Sequence, residues 1–186
     1  MNRKLILLSL TVLLAAVGVA QEARSNRYTE PEGGFSYVPP KGWVLRRVPI
    51  GKYKFASSQP IDGFAPNINV IDEFAVASLD DYVNSQMQGL PKRYEQLGLK
   101  NFKVLRQSKF VTNQKLTGIK TVTQSTGNGK TIRQTFYFFE GKNNKKFVVT
   151  CSVPEDAGES FDKIFDDSIK SFRTDANAEM SLPRTG

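Results

Sequence analysis

Alternation of apolar and polar residues, the pattern of strands with one covered face, runs through most of the chain. Three short strands are predicted near the start, at residues 35–38, 43–48 and 53–56. Residues 57–67 then hold two prolines, a glycine and an aspartate, which predicts a loop. The next strand, residues 68–76, has an apolar face that Asp72 interrupts. The members of that face are Ile68, Val70, Phe74 and Val76.

The period of the apolar residues then changes from that of a strand to that of a helix. Ser78 is a good helix cap, and Asp80 and Asp81 follow in the first turn, where the helix dipole favours acids. The apolar stripe consists of Leu79, Tyr82, Val83, Met87, Leu90, Tyr94 and Leu97. Because Gly89 and Pro91 interrupt this stripe, we expect a kinked helix or two short ones.

Four further strands are predicted in a meander, at residues 101–111, 115–125, 131–139 and 147–153. The Gly127-Asn128-Gly129 sequence is a hairpin signal, and residues 141–144 form a second tight turn. On the first of these strands, one face is predicted to hold Phe102, Val104 and Phe110. On the last, one face is predicted to hold Phe147, Val149, Cys151 and Val153.

The strand at residues 131–139 is apolar on both faces. One face has Ile132, Phe136 and Phe138, and the other has Tyr137 and Phe139. Such a strand belongs to a sheet that is covered on both sides. A closing helix supplies one cover, with a stripe of Phe161, Ile164, Phe165, Ser168, Ile169 and Phe172.

The first twenty residues have the layout of a secretory signal peptide: a basic start, an apolar segment at 5–17, and small residues at Gly18 and Ala20. We expect cleavage after Ala20, because Gly18 and Ala20 are the small residues that a signal peptidase requires. The apolar segment is too short to span a bilayer. The exported chain is then predicted to be periplasmic or extracellular. Its predicted parts are a flexible arm (21–32), a single domain (33–173) and a disordered tail (174–186). The tail ends in Leu-Pro-Arg-Thr-Gly, which matches a sortase signal but lacks the apolar segment that such signals need.

Composition excludes several kinds of chemistry. The chain has no histidine and one cysteine, Cys151, which rules out Ser-His-Asp and Cys-His catalysis, an internal disulfide and multi-cysteine metal sites. The strand position of Cys151 predicts a buried, inert thiol, and we expect Trp43 to pack into the core rather than to stack on a ligand. We predict no cofactor and no metal site, since Asp62, Asp72 and Glu73 do not have the spacing of an EF-hand.

The charge is uneven along the chain. Residues 92–146 contain 13 basic and 2 acidic residues, whereas residues 147–186 contain 4 basic and 8 acidic ones. A cationic surface favours anionic polymers. We therefore name as a candidate polyanion or partner surface Lys103, Lys109, Arg133 and Tyr137. The alternative is that these charges only solvate exposed strand faces.

Three pairs of adjacent carboxylates are the remaining candidates for catalysis: Asp72-Glu73, Asp80-Asp81 and Asp166-Asp167. Neighbouring residues on a strand point to opposite faces, so the first pair is poorly placed for acid–base work. The other two pairs fall on predicted helices, where we expect them to be solvated. A hydrolase that uses two carboxylates stays open as an alternative.

Several short motifs occur in an order that resembles the PsbP-like superfamily. Gly-Phe-Ser-Tyr-Val-Pro-Pro-Lys-Gly-Trp at residues 34–43 is similar to its first motif, and later similarities lie at residues 53–55, 67–70, 78–83 and 165–172. The resemblance implies an α+β fold, an α-β-α sandwich with a central antiparallel sheet. Superfamily members, among them the PsbP subunit of photosystem II and DcrB-like envelope proteins, mostly bind rather than catalyse.

The resemblance thus predicts a non-catalytic binding or scaffolding domain of the cell envelope. Its partner is an envelope protein or an anionic polymer, with no specific nucleic acid, and the mature chain is expected to be a monomer without a transmembrane segment. A photosystem II-associated extrinsic protein is the other function that the fold suggests, although fold alone does not fix function.

Overall fold

A central antiparallel sheet organises the computed structural model, which describes residues 26–47 and 52–174. Its seven strands lie in the order β3-β4-β5-β9-β8-β7-β6. Their bounds are β3 Val44–Arg46, β4 Phe55–Ser57, β5 Asn67–Phe74, β6 Lys100–Val111, β7 Thr117–Gly127, β8 Lys130–Glu140 and β9 Lys145–Pro154. A separate antiparallel hairpin precedes them, formed by β1 Tyr28–Glu30 and β2 Phe35–Tyr37.

Two helices pack on opposite faces of this sheet. Helix α1 spans Leu79–Gln96, and helix α2 spans Gly158–Ile169 after a 3-10 turn at Glu155–Ala157. The core under α1 contains Tyr82, Val83, Leu90, Tyr94, Phe136, Phe138 and Val148. The core under α2 and the hairpin includes Phe35, Tyr137, Phe139, Phe147, Val149, Cys151, Phe165, Ile169 and Phe172. The predicted α-β-α sandwich is therefore confirmed.

Strands β8 and β9 have the faces that alternation predicted. Phe136 and Phe138 pack under α1, while Tyr137 and Phe139 pack under α2. Cys151 is fully buried in the α2 core, and burial raises the pKa of its thiol well above the ordinary value. The hairpin between β7 and β8 turns at Asn128 and Gly129, which have φ of 50° and 73° as a tight two-residue turn requires.

Strand β6 does not keep one apolar face, contrary to the prediction for Phe102, Val104 and Phe110. Phe102 packs under α1 and Phe110 packs under α2, although they are an even number of residues apart. The pairing of β6 with β7 shifts register between Val104 and Arg106, and a bulge of this kind exchanges the two faces of a strand. Val104 is exposed.

The structure differs from the sequence prediction at three further places. Part of the arm predicted at 21–32 is strand β1, because Tyr28 is buried and packs edge-on against Phe35 and Tyr37. Helix α1 is one element that continues through Pro91, because the residues around it pack into the core. Phe74 and Val76 are exposed at the end of β5 rather than buried. The predicted signal peptide lies outside the described residues, as does nearly all of the predicted tail.

Candidate binding surfaces

The structure does not bring the four residues of the candidate polyanion surface together. Tyr137 is fully buried, and only 12% of the Arg133 side chain is exposed. Lys103 pairs across β7 with Gln124, which lies opposite Arg133, so Lys103 is on the α2 side of the sheet. Lys109 pairs with Ile119, which packs under α1 on the other side. These residues therefore form no common patch, because register puts the two exposed lysines on opposite faces.

Arg133 is held by carboxylates of the closing helix. Its Nη2 lies 2.9 Å from Asp162 Oδ2, and its Nη1 lies 3.7 Å from Glu155 Oε1. Burial lowers the pKa of Arg133, but the hydrogen bonds and charge of Asp162 outweigh that effect, so the pKa is raised. Arg106 reaches the same Asp162 oxygen at 3.5 Å.

Tyr137 belongs to a second cluster one helical turn further along α2. Its hydroxyl donates to Asp166 Oδ1 at 2.6 Å, and Lys120 Nζ donates to the same oxygen at 2.6 Å. Lys120 is buried, and its ammonium lies 5.6 Å from the centre of the Tyr137 ring. Burial is the largest cause that raises the pKa of Tyr137, and nearby negative groups that include Asp166 raise it further.

These contacts explain part of the uneven charge along the chain. Three basic residues that face α2, Arg106 of β6, Lys120 of β7 and Arg133 of β8, pair with acids on its inner side, Asp162 and Asp166. Part of the charge contrast between residues 92–146 and 147–186 thus reflects packing of cationic side chains of the sheet under an acidic helix. Among the described residues, no ion pair involves the exposed lysines of β6, Lys100, Lys103 and Lys109.

Asp72, which interrupts the apolar face of β5, is the centre of a polar cluster beside the α2 core. Only 6% of its side chain is exposed. Tyr53 donates its hydroxyl to Oδ1 at 2.6 Å, Lys52 binds the same oxygen, and Lys145 Nζ lies 3.0 Å from Oδ2. Burial raises the pKa of Asp72, but the three hydrogen bonds together outweigh burial and lower it. Burial, and next the hydrogen bond to Asp72, raise the pKa of Tyr53 to about 12.

Asp72→Asn should reduce the free energy of unfolding at pH 7, because the amide makes no ion pair with Lys52 or Lys145. In the parent, the folded-state pKa of Asp72 lies below its unfolded value of about 3.9. The stabilisation is therefore complete above about pH 4 and is lost as pH falls through the folded-state pKa. Urea unfolding at pH 7 and pH 2.5 should show a gap between parent and variant that narrows in acid. A constant gap would contradict this, and Asp156→Asn at an exposed position is the control.

The candidates for catalysis do not converge. Asp72 faces the α2 side, whereas Glu73 accepts hydrogen bonds from Tyr82 and Gln86 of helix α1. Asp166 binds Lys120, whereas Asp167 pairs with Lys163 and Lys170 on the helix surface. Within residues 26–47 and 52–174, no group of three or more histidine, cysteine or carboxylate side chains is placed to hold a metal ion.

The loop before β5 forms a small crossover in the described structure. Ile61 and Phe64 pair through two backbone hydrogen bonds, and Lys130 from the β7–β8 hairpin donates to the backbone oxygen of Asp62. Phe64 is half-buried. These contacts are those of a structural connection.

The turn that carries the Pro-Pro-Lys-Gly-Trp motif has a cavity on each side. One, of about 400 Å³, is lined by residues that include Asn26, Trp43 and Leu45. The other, of about 310 Å³, lies against α2 and is lined by residues that include Ile164 and Asp167. Pro39, Pro40 and Lys41 line both. Volumes of this size are typical of sites that take a small ligand or one side chain of a partner.

Trp43 is the only tryptophan of the chain and is only half-buried. Its ring packs on α2, 6.1 Å from the ring centre of Phe165 and 6.4 Å from that of Phe161. It supports the core as predicted and also forms part of a cavity wall. Leu45 and Ile164, which each line one of the two cavities, are 40% and 38% exposed. We define the Trp43 surface as Pro39, Pro40, Lys41, Trp43, Leu45 and Ile164.

Sequence reasoning missed the residues that neutralise the sheet. Asp166 was predicted only as a solvated helix acid, and Asp162 and Lys120 were not singled out. A signal was available only for the separate cluster around Asp72, because Asp72 is a charged residue at an inward position of an apolar strand face. Such a residue indicates a buried polar cluster.

The solved structures that are similar to this chain in fold include two bacterial proteins. The PsbP protein of Synechocystis sp. PCC 6803 (CyanoP) is 14% identical, with a TM-score of 0.57, and the match covers 80% of this chain and 91% of that one. LpqN of Mycobacterium tuberculosis, described as involved in cell envelope biogenesis, is 13% identical, with a TM-score of 0.53 over 78% of this chain and 88% of that one. The chain therefore has a PsbP-like fold. No family model matches the sequence, and a comparison with curated proteins finds no match.

Proposed function

We propose that this chain is an exported, non-catalytic binding domain of the cell envelope, which engages a protein partner through the Trp43 surface. The observation that carries the proposal is the arrangement of two cavities on either side of Pro39 and Pro40, with a half-buried tryptophan and two exposed aliphatic side chains beside them.

The chemistry of this surface fits a protein better than a charged small molecule. Tryptophan is typical of the energetic centre of protein interfaces, and polar residues are typical of the rim. Here Lys41 and Asp167 provide such a rim. Gly42 separates the motif's lysine and tryptophan, and its φ of 82° holds a turn that side-chain-bearing residues rarely adopt.

The proposed location rests on the N-terminal sequence and on the relatives in fold. Residues 1–20 have the pattern of a signal peptide. In residues 26–47 and 52–174, no helix is long and apolar enough to cross a membrane. One protein of the same fold is described as involved in cell envelope biogenesis.

The test is capture of a partner from the organism's own envelope fraction by the immobilised chain without residues 1–20. Leu45→Glu combined with Ile164→Glu should reduce capture of the specific partner by about tenfold or more, because charges replace two contacts of the apolar centre. The matched control is Val76→Glu combined with Leu97→Glu, which makes the same chemical change at exposed positions elsewhere.

The purified partner should then change the fluorescence of Trp43, the only tryptophan of the chain. Equal loss of capture in the test and control variants would contradict a specific role of the Trp43 surface. Turnover of a substrate by the pure chain would contradict the non-catalytic part of the proposal.

A further inference from the structure

Strand β6 is a long edge of the seven-stranded sheet. It spans Lys100–Val111, 12 residues, and pairs on one side with β7, while no described strand pairs with its other side. The opposite edge, β3 at Val44–Arg46, has 3 residues and lies beside the Trp43 surface. A long edge strand presents a row of backbone N–H and C=O groups that another strand can pair with.

The outward backbone groups of β6 can be assigned from the hairpin that joins it to β7. Thr112 donates its N–H to Leu116 O, 3.0 Å away, so this is a hydrogen-bonded pair. Such pairs alternate along an antiparallel ladder. Phe110 and Ser108 therefore bond inward to β7, and the N–H groups of Gln107, Lys109 and Val111 point outward.

The side chains of β6 favour one kind of strand on this edge. Its sequence contains four basic residues, Lys100, Lys103, Arg106 and Lys109, and no acidic residue. Arg106 binds Asp162, but the three lysines make no ion pair among the described residues. Three apolar side chains of the strand are more than 40% exposed: Val104 and Leu105, which lie between Lys103 and Arg106, and Val111, which follows Lys109.

We propose that the outer edge of β6 binds an extended acidic segment of a partner protein, which adds an eighth strand to the sheet. Backbone hydrogen bonds would give such a complex its geometry, and lysine–carboxylate pairs with apolar contacts would give it selectivity. Pairing of β6 with β6 of a second copy would bring like charges together, which is unfavourable.

A purely protective edge is the opposing explanation. Proteins commonly block edge strands with lysines and bulges, and β6 has both. The two explanations predict opposite results, because a protective edge excludes added strands and a receptive edge accepts those of matching charge.

The experiment is a calorimetric titration of the chain, without residues 1–20, with four synthetic probes. The first is a twelve-residue peptide of Glu, Thr and Val with net charge −4. The second has Lys in place of each Glu, the third has the same acids with two central prolines that prevent strand pairing, and the fourth is dextran sulfate. We expect saturable binding of the first peptide only, which weakens as salt rises.

Two sets of variants locate the binding. Lys103→Glu combined with Lys109→Glu should reduce affinity for the first peptide by about tenfold or more, at unchanged stability, because exposed charges contribute little to folding. Gln107→Pro removes an outward N–H and should reduce affinity about fivefold relative to Gln107→Ala, which keeps it. Circular dichroism confirms that each variant is folded.

Several results would overturn the proposal. If the first peptide does not bind, the explanation that β6 is a purely protective edge is correct. Equal binding of the proline-containing peptide or of dextran sulfate would show charge attraction without strand addition, as for an anionic polymer. A concentration-dependent dimer in sedimentation that Gln107→Pro abolishes would assign the edge to a second copy.

Discussion

Asp166→Ala should reduce the free energy of unfolding by up to about 3 kcal/mol, the lower end of the cost of breaking a buried ion pair, because Lys120 is buried while the Asp166 side chain is 29% exposed. Asp166 Oδ1 accepts hydrogen bonds from both Lys120 and Tyr137, each at 2.6 Å. Without this oxygen, the buried ammonium of Lys120 and the hydroxyl of Tyr137 lose their acceptor inside the sandwich. Urea unfolding at pH 7, followed by circular dichroism, measures the loss.

The neighbouring residue is the control. Asp167→Ala removes an exposed carboxylate that pairs with Lys163 and Lys170 on the helix surface, and we expect no resolvable change. Lys120→Met combined with Asp166→Ala should recover part of the stability, because an apolar side chain replaces the unpaired charge. If the two alanine variants unfold at the same urea concentration, the inward placement of Asp166 is wrong.

Phe172→Ala should reduce the free energy of unfolding by about 3–5 kcal/mol, as is typical of large-to-small changes of buried aromatic residues. Phe172 follows α2 and is fully buried. Its ring stacks on Phe139, with centres 5.0 Å apart, and on Phe35, with centres 5.8 Å apart. It therefore joins the sheet, the hairpin and the end of the closing helix.

The control for Phe172 is Ile164→Ala on the preceding helix α2, because Ile164 is partly exposed and its truncation should cost less than about 1 kcal/mol. The Phe172→Ala variant should also expose the β1–β2 hairpin to proteolysis, since Phe35 loses a stacking partner. Equal unfolding midpoints for both variants would contradict the central role of this ring.

The sequence by itself determined the layers of the fold. The alternation in β8 and β9 assigned Phe136, Tyr137, Phe138 and Cys151 to their correct faces. This succeeds because side chains in a regular strand alternate and both faces of this sheet are buried. The turn at Asn128 and Gly129 was equally predictable, since few residues adopt the left-handed conformation that it requires.

Other features of the fold depended on contacts between elements. A shift of register in β6 moved Phe110 to the other face, and no local pattern marks the position of such a shift. Pro91 stays inside α1 because packing of Leu90 and Tyr94 outweighs the lost backbone hydrogen bond. Tyr28 joins the core because β1 pairs with β2, and this pairing exists only in the folded chain.

Only the tertiary structure decided which charges are available to a partner. Charge counting identified a cationic segment, but α2 neutralises the part of it that faces inward, through Asp162 and Asp166. Adjacent aspartates such as Asp166 and Asp167 are chemically identical in the sequence. They differ in the structure because neighbouring helix positions differ by about 100° in direction, so one carboxylate points at the sheet and the other at solvent.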